Sequence, residues 1–301
     1  MPVQFSFNHR KSADLKKRAD SPLSGNGFSL KGENGAATVI LIHGLTGTSN
    51  EMRYTANSLH RKGYTVICPK LANHGEPMAI LKETTWQDFY QSIKGVFLEV
   101  EGSAKGGPIF IGGLCIGALL GLLLADEFGA RISAVSCLSV TLFYDGWNVP
   151  WYRILLPIFY WTPILKDISY YKEDSPYGIK DEAIRERVHQ YYSRASLDDM
   201  DGMLEHGYPY IPASLFYQNH LLIKHVTKRL SSVEVPVQLI QAKDDDTTGV
   251  KNSEFVYHRI KSRIKELILL EDSYHVITVD REREKVAQKM DEFFSRTLVR
   301  I

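Results

Sequence analysis

The segment from Ile109 to Ala118 contains the residue of this chain best placed for chemical reactivity, a cysteine between two glycines. The pattern is Gly113-x-Cys115-x-Gly117, with an apolar strand-like run before it and a helix-forming run after it. A sharp turn from strand to helix strains the backbone at its central residue, and the flanking positions must be very small because strand and helix approach closely. The N–H groups that begin the helix would favour a thiolate. The spacing therefore predicts a nucleophilic Cys115 at the tip of the turn.

Two interpretations in which Cys115 is not reactive stay open on the sequence of this segment alone. Cysteine is among the residue types most often buried for packing, so Cys115 is also compatible with a structural role. Residues 108–125 carry no charge and are long enough for a marginal membrane-spanning helix. The glycines and the proline in this stretch argue against such a helix, and a buried strand followed by a buried helix explains it better.

A nucleophile of this kind needs a base that takes its proton and a carboxylate that orients the base. Three aspartates, residues 244–246, follow the predicted strand Val235–Gln241, and His275 follows the predicted strand Glu266–Leu270. Functional side chains of parallel sheets gather at the carboxyl ends of the strands. His275 is therefore the candidate base and one of the aspartates the orienting acid. The alternatives without a catalytic role are a solvent-exposed acidic loop and a structural histidine.

A turn of small residues upstream is the candidate for stabilising an oxyanion. His43-Gly44-Leu45 follows the first central strand, where a backbone N–H can point at the nucleophile. The N–H groups of Leu45 and Ile116 are the two predicted donors. His43 and His74 are predicted to be structural.

Strands that alternate with helices must position these residues, and this alternation predicts a parallel sheet. The predicted strands are Ala37–Ile42, Tyr64–Cys68, Pro108–Ile111, Ile132–Val140, Val235–Gln241 and Leu267–Leu270. The predicted helices are Asn50–Lys62, Thr85–Val100, Leu114–Phe128 and Glu282–Leu298.

Residues 141–230 interrupt the alternation and are predicted to be an inserted, largely helical cap. They contain about half of the chain's aromatic residues and half of its prolines in under a third of its length. The aromatic residues could form the cap's own small core, but as a set they suggest an apolar wall over the site. The predicted substrate-binding members are Trp147, Trp151, Tyr152 and Phe159. The remaining layout is an N-terminal extension over 1–25 and a core over 26–140 and 231–301.

Composition excludes some classes of function. The 301 residues are 44% hydrophobic and 24% charged with a net charge of +1, which is normal for a globular protein and offers no electrostatic case for nucleic acid. Cys68, Cys115 and Cys137 have no metal-ligand spacing and suggest no disulfide framework, so a reducing compartment such as the cytoplasm is expected. The N-terminus lacks the apolar region of a signal peptide. Neither a cofactor nor a metal is predicted.

Five motifs together resemble the α/β-hydrolase superfamily, and within it the bacterial carboxylesterases and monoacylglycerol lipases. They are Leu41–Met52, Asn73–Gly75, Thr85–Asp88, Gly113–Gly117 and Asp272–Asp280. The resemblance implies an α/β-hydrolase fold, with helices on both faces of a mostly parallel sheet and an inserted cap. That family carries its acid in a Gly-x-x-Asp turn, which Ala242-Lys243-Asp244-Asp245 matches with alanine for glycine. Asp245 is accordingly the predicted acid, with Asp244 and Asp246 as alternatives.

The family usually has serine where this chain has Cys115. A thiol ionises more readily than a hydroxyl and, as thiolate, is a better leaving group than most alkoxides. The predicted function is an acyl hydrolase or acyltransferase that forms an acyl-Cys115 intermediate from an ester or thioester with an apolar acyl group. The predicted partner is a small molecule, with a lipid and an acyl-CoA as candidates.

Two other functions stay open. One is an esterase of the usual serine type whose nucleophile is cysteine by nature or by engineering. The other is a non-catalytic binding protein on the same fold. The oligomeric state is not predicted.

Overall fold

A seven-stranded sheet forms the centre of the computed structural model, which describes residues 27–33, 37–103, 107–196, 202–203 and 206–298. The strands of the sheet are β1 (Phe28–Leu30), β2 (Thr38–Ile42), β3 (Thr65–Cys68), β4 (Ile109–Leu114), β5 (Ala134–Leu138), β8 (Val237–Ala242) and β9 (Lys265–Leu270). Their order is β1-β3-β2-β4-β5-β8-β9, and all neighbours are parallel except the antiparallel edge strand β1. The predicted extension over 1–25 lies outside the described residues.

Helices cover both faces of this sheet, as its sequence pattern requires. The helices of the described ranges are α1 (Arg53–Arg61), α2 (Met78–Leu81), α3 (Trp86–Ser103), α4 (Ile116–Phe128), α5 (Leu156–Trp161), α6 (Pro163–Ile168), α7 (Glu182–Tyr192), α8 (Ala213–Thr227), α9 (Lys251–Arg259) and α10 (Arg283–Leu298). Every residue of β2 is buried. Val39 and Leu41 join the cluster that includes side chains of α1 and α10, while Ile40 and Ile42 join the cluster of α3 and α4. Strands buried on both faces are typical of a parallel sheet between two helical layers.

The segment between β5 and β8 contains more than the predicted helices. It includes a small antiparallel sheet of β6 (Tyr170–Lys172) and β7 (Tyr210–Pro212). Its last helix, α8, packs on α3 and α4, and Leu222 and Val226 are buried in the same cluster as α4. α8 is therefore part of the packed core, and the predicted cap over 141–230 stays a prediction.

Several predicted boundaries shift by a few residues. The strand before the cysteine continues to Leu114, so α4 begins at Ile116 and not at the predicted Leu114. The first predicted helix begins as a 3₁₀ turn over Ser49–Met52. The edge strand β1 was not predicted, because three residues are too short to show an alternating pattern.

The apolar run over 108–125 divides into β4 and α4. The interpretation of this run as a membrane helix is therefore wrong. Among the helices in the described ranges, none is both long and apolar enough to span a bilayer.

Candidate active site

The turn between β4 and α4 has the strained geometry that its glycines predicted. Cys115 has a φ of 55°, a conformation that L-residues with side chains rarely adopt. A Cβ on Gly113 would lie 2.2 Å from the Gly117 carbonyl carbon, and one on Gly117 would lie 2.3 Å from the Ile42 oxygen. Both positions must therefore be glycine for β4, α4 and β2 to approach this closely, and the surrounding structure holds Cys115 in its conformation.

The Cys115 side chain differs from the other two cysteines in its surroundings. It is partly exposed to a cavity, and the Thr141 hydroxyl lies 3.1 Å from its Sγ in a hydrogen bond donated to the sulfur. Cys68 and Cys137 are fully buried, and burial raises the pKa of both thiols. Among the three cysteines, only Cys115 thus combines access from the cavity with a hydrogen-bond donor on its sulfur.

The loops after β8 and β9 bring Asp245 and His275 together. His275 Nδ1 lies 2.9 Å from Asp245 Oδ2 and 3.1 Å from Oδ1. The carboxylate also accepts hydrogen bonds from the Thr248 N–H at 2.7 Å and the Gln241 side chain at 2.7 Å. With its oxygens held in this way, Asp245 orients the imidazole and directs Nε2 away from the acid.

Electrostatics at this pair favour a protonated imidazole. Burial lowers the pKa of His275, but the charge and hydrogen bond of Asp245 and the neighbouring Cys115 outweigh it, so that the pKa lies well above its ordinary value. His275 Nε2 is buried without a hydrogen bond to any described residue. Cys115 therefore helps to raise the pKa of the imidazole although it makes no well-formed hydrogen bond with Nε2.

The two neighbouring aspartates have other contacts. Asp244 is exposed and lies 3.1 Å from the Lys180 ammonium group. Asp246 accepts hydrogen bonds from the backbone N–H of Gly178 at 3.1 Å and of His275 at 3.3 Å. The geometry therefore puts only Asp245 against the imidazole ring, and Asp246 links the His275 loop to the segment between β5 and β8.

The turn after β2 is held by residues predicted to be structural. His74 Nε2 lies 2.7 Å from the Leu45 oxygen, and His43 Nε2 accepts a hydrogen bond from the Leu71 N–H. Burial lowers the pKa of both histidines, that of His74 to about 4, so both are neutral near pH 7. In the described part of the chain, no backbone acceptor is bonded to the N–H of Leu45 or of Ile116. Both N–H groups are thus available to an oxyanion.

A cavity of about 360 Å³ opens beside Cys115 and His275. Its walls include the apolar or aromatic residues Tyr144, Val149, Tyr171, Tyr192, Ile211 and Phe216. This size and lining suit a small ligand with an apolar part.

The predicted aromatic wall is not the one that the structure shows. Trp147 and Trp151 are 59% and 77% exposed, and neither they nor Phe159 line the cavity. Trp147 instead donates a hydrogen bond to the Asp244 oxygen. The side chain of Tyr152 lies outside the described part. Aromatic content predicted an apolar wall, but it could not indicate which face of the segment would turn inward.

Two glutamates at the same cavity were not predicted. Glu51 Oε2 accepts a hydrogen bond from the Gly44 N–H at 3.1 Å, and Glu173 Oε1 accepts one from the Thr46 hydroxyl at 3.1 Å. Burial raises the pKa of each carboxyl to about 7, against the weaker effects of these hydrogen bonds and of His275. Both side chains are partly buried and face the cavity.

Weak signals in the sequence pointed to some of the missed residues. Glu51 lies within the motif Leu41–Met52, and Thr141 follows the carboxyl end of β5, the sheet edge that carries the other site residues. Glu173 had no such signal, since only the folded chain brings it to the turn after β2.

The fold and the site together define an α/β-hydrolase. A cysteine at the β4–α4 turn, an aspartate after β8 and a histidine after β9 lie at the chain positions that the nucleophile, acid and base occupy in these enzymes. Residues 33–282 match the family Hydrolase_4, described as Serine aminopeptidase, S33, and the chain belongs to this family. It is therefore a hydrolase of the α/β fold.

The relatives found are lipolytic enzymes and esterases. The chain is 24% identical to a thermostable monoacylglycerol lipase of Bacillus sp. (strain H-257), over 88% of this chain and 92% of the relative. It is 22% identical to a carboxylesterase of Bacillus subtilis (strain 168), over 89% of this chain and 96% of the relative.

Solved structures of such enzymes share the fold. A structure reported for the metagenome-derived lipolytic enzymes LipS and LipT has a TM-score of 0.74 and 24% identity, covering 90% of this chain and 97% of its own. The monoacylglycerol lipase of Paleococcus ferrophilus has a TM-score of 0.70 at 17% identity, covering 90% and 98%.

Proposed function

We propose that the protein is an acyl hydrolase or acyltransferase that acts on an ester or thioester through an acyl-Cys115 intermediate. The observation that carries this proposal is the hydrogen-bonded pair of Asp245 and His275 beside a cysteine in a strained strand–helix turn. The apolar walls of the cavity support an apolar acyl group.

The chemistry follows from these positions. The Cys115 thiolate attacks the carbonyl carbon, and the carbonyl π electrons move to the oxygen, which accepts hydrogen bonds from the Leu45 and Ile116 N–H groups. The intermediate then expels the alcohol or thiol, which takes the proton of the His275 imidazolium. Neutral His275 next takes a proton from water or another acceptor as this attacks the acyl-Cys115. The acid or transferred ester leaves, and Cys115 returns to its starting state.

Asp245 has a supporting role in this cycle. Its carboxylate holds His275 in the tautomer and orientation that place Nε2 at the reacting atoms. We assign the segment over 141–212 to a cap that covers the site, since Tyr144, Tyr171 and Tyr192 from it line the cavity.

The first experiment compares alkylation of the three cysteines by iodoacetamide, followed by peptide mass spectrometry. Cys115 should react far faster than Cys68 or Cys137, and His275→Ala should slow the labelling of Cys115. Equal labelling of all three cysteines in the folded protein would contradict the proposal.

The second experiment separates hydrolysis from transfer. Intact-mass spectrometry after incubation with short and long p-nitrophenyl esters and acyl-CoA thioesters should show an acyl adduct, which Cys115→Ala abolishes. An adduct that persists in water and disappears when an alcohol or amine is added indicates a transferase. An adduct that never forms, on any of these substrates, contradicts the covalent mechanism.

A second candidate is an esterase of the ordinary serine type, favoured by the names of the Bacillus relatives. Its distinguishing test is Cys115→Ser. A variant that hydrolyses simple alkyl esters much faster than the parent protein favours this candidate, and a slower one favours the cysteine mechanism.

A further inference from the structure

We propose that Glu51 is a positioning residue, whose carboxyl group fixes the turn that presents the Leu45 N–H to the oxyanion. The inference rests on the proposed function, in which this N–H stabilises the oxygen of the tetrahedral intermediate. It adds a residue outside the set of Cys115, Asp245 and His275 and assigns it to the oxyanion hole.

Glu51 is held in place by a short helical turn that directly follows the turn after β2. The 3₁₀ turn Ser49–Met52 is preceded by Thr48, whose side chain accepts a hydrogen bond from the Asn50 N–H and whose carbonyl oxygen accepts one from the Glu51 N–H. The next residue, Met52, is fully buried in the core. The backbone of Glu51 is therefore anchored on both sides, and its side chain runs back to the turn after β2.

The carboxyl group of Glu51 lies against both glycines of the turn after β2. Its Oε2 accepts a hydrogen bond from the Gly44 N–H at 3.1 Å. A Cβ on Gly44 would lie 3.4 Å from this oxygen and 3.7 Å from the Cys115 Cβ. A Cβ on Gly47 would overlap the carboxyl group. Glu51 therefore takes the space that a side chain at position 47 would need, and Gly44 is within contact range of both the carboxyl group and the nucleophile.

The carbonyl groups of this turn are held by other parts of the chain. The Leu45 oxygen lies 2.7 Å from His74 Nε2, and the Thr46 oxygen accepts a hydrogen bond from the Tyr208 N–H at 2.8 Å. A turn that contains glycine is adaptable, so its N–H groups keep a fixed direction only where such contacts restrain it. These two contacts restrain the part of the turn that follows the oxyanion donor.

The part of the turn before the donor depends on Glu51. The peptide group that carries the Leu45 N–H begins at Gly44, and its direction follows from the backbone dihedral angles of Gly44, which no side chain restricts. The Gly44 oxygen accepts a hydrogen bond from His43 Nδ1 at 2.8 Å. The Gly44 N–H has no backbone acceptor in the described ranges and is bonded to Glu51 Oε2. Loss of that acceptor would leave Gly44 free to rotate and the oxyanion donor without a fixed direction.

The charge state of Glu51 is compatible with this role. An ionised carboxylate beside the oxyanion turn would oppose the negative charge that develops there. Burial raises the pKa of Glu51 to about 7, against the weaker effects of the Gly44 hydrogen bond and of His275. A large fraction of the protein therefore carries the neutral carboxyl group near pH 7. A neutral carboxyl group still accepts a hydrogen bond through its carbonyl oxygen.

The test compares Glu51→Met with Glu51→Gln, two neutral side chains of similar length. Glutamine keeps an oxygen that can accept the hydrogen bond from Gly44, whereas methionine offers only a weakly accepting sulfur. Single-turnover release of p-nitrophenolate from an ester gives the acylation rate constant at saturation. It should be at least about tenfold lower in Glu51→Met than in Glu51→Gln, with half-saturation within about twofold, because the loss falls on the transition state. Equal rate constants in the two variants would overturn the proposal.

A second reaction separates positioning of the oxyanion donor from damage to the nucleophile. Iodoacetamide alkylates a thiolate by direct displacement of iodide, so no oxyanion forms in that reaction. Cys115 should therefore be alkylated in the two variants at rates within about twofold of each other, as measured by peptide mass spectrometry. A methionine variant that is slow in both reactions would have lost the site as a whole, and this result would refute a role specific to the oxyanion.

The same two substitutions in the Cys115→Ser protein keep this inference separate from the proposed function. A parent protein that forms no acyl adduct would contradict the cysteine mechanism. If the Cys115→Ser protein then hydrolyses the ester, the difference of about tenfold between glutamine and methionine should persist, since the turn after β2 is the same. A missing difference in a protein that acylates overturns the role of Glu51 alone, and a failure of both proteins to acylate overturns both proposals.

Discussion

The role of each residue at this site depends on which neighbouring atoms its side chain contacts. Asp245 is the aspartate whose carboxylate reaches the His275 ring, whereas Asp244 is in solvent beside Lys180. The Thr141 hydroxyl lies within hydrogen-bonding distance of the Cys115 sulfur, at 3.1 Å, and it can also donate to the Ser139 oxygen at 3.2 Å. A change of one functional group at such positions should affect reactivity far more than stability.

Asp245→Asn should slow acyl transfer by about three orders of magnitude or more, because the amide no longer holds the imidazole in the productive tautomer or stabilises its charge. Asp244→Asn, in the same loop, should remain within about twofold of the parent, since its ion pair is exposed. Steady-state hydrolysis of a p-nitrophenyl ester measures both. Loss of activity in Asp244→Asn alone would mean that the acid is wrongly assigned.

Thr141→Val should slow alkylation of Cys115, since valine keeps the shape of threonine but donates no hydrogen bond to the sulfur. The loss of a hydrogen bond to a charged atom should cost about tenfold in the rate at fixed pH. Thr141→Ser restores the donor and should recover most of the rate. A valine variant with an unchanged pH profile of labelling would show that Thr141 has no influence on the thiolate.

At the scale of elements, the site depends on the close approach of β2, β4 and α4. Gly117 lies where the helix begins and where the Ile42 oxygen leaves no space for a Cβ. Gly95, within α3, has nothing within 4 Å of a Cβ. A side chain at position 117 would therefore clash with backbone, whereas one at position 95 would meet no other atom. The two glycines make a matched pair for substitution.

Gly117→Ala should destabilise the protein by about 3 kcal/mol, because the new methyl group contacts backbone that cannot move without displacing β2. Gly95→Ala should instead stabilise it by up to about 1 kcal/mol, the gain in helix propensity. Urea denaturation followed by circular dichroism measures both. Similar unfolding free energies for the two variants would contradict the packing that the structure shows.

For the whole molecule, the buried charges of the cavity couple stability to pH. The pKa of Glu51 and of Glu173 is raised from 4.5 to about 7 on folding, so the folded state holds protons that the unfolded chain releases between these values. Folding stability contributed by these groups is present below about pH 4.5 and is lost as pH rises through about 7. The sign is opposite to that of a carboxylate in a stabilising ion pair.

The variant with both Glu51→Gln and Glu173→Gln should therefore gain stability relative to the parent as pH rises. The difference should be small at pH 5 and reach about 2 kcal/mol at pH 8, a value reduced from the full shifts because both side chains are only partly buried. Denaturation at pH 5 and pH 8 tests this, and a difference that does not vary with pH would contradict it.

The sequence by itself determined those features that depend on neighbours along the chain. The small residues around Cys115 predicted the strand–helix turn, since the spacing of glycines reports a close approach of backbone. The alternation of apolar runs predicted the parallel sheet, and the resemblance to the α/β-hydrolases selected Asp245 from the three aspartates between Cys115 and His275. Periodicity and spacing are local properties, so they can be read before folding.

The tertiary structure alone decided which side chains share the cavity. It brought Glu173 to the turn after β2, turned Trp147 and Trp151 outward, and put α8 into the core. These outcomes depend on contacts between distant segments and on the face that each element buries. The amino-acid composition of a segment does not indicate which of its faces turns inward, and only packing against the rest of the fold decides this.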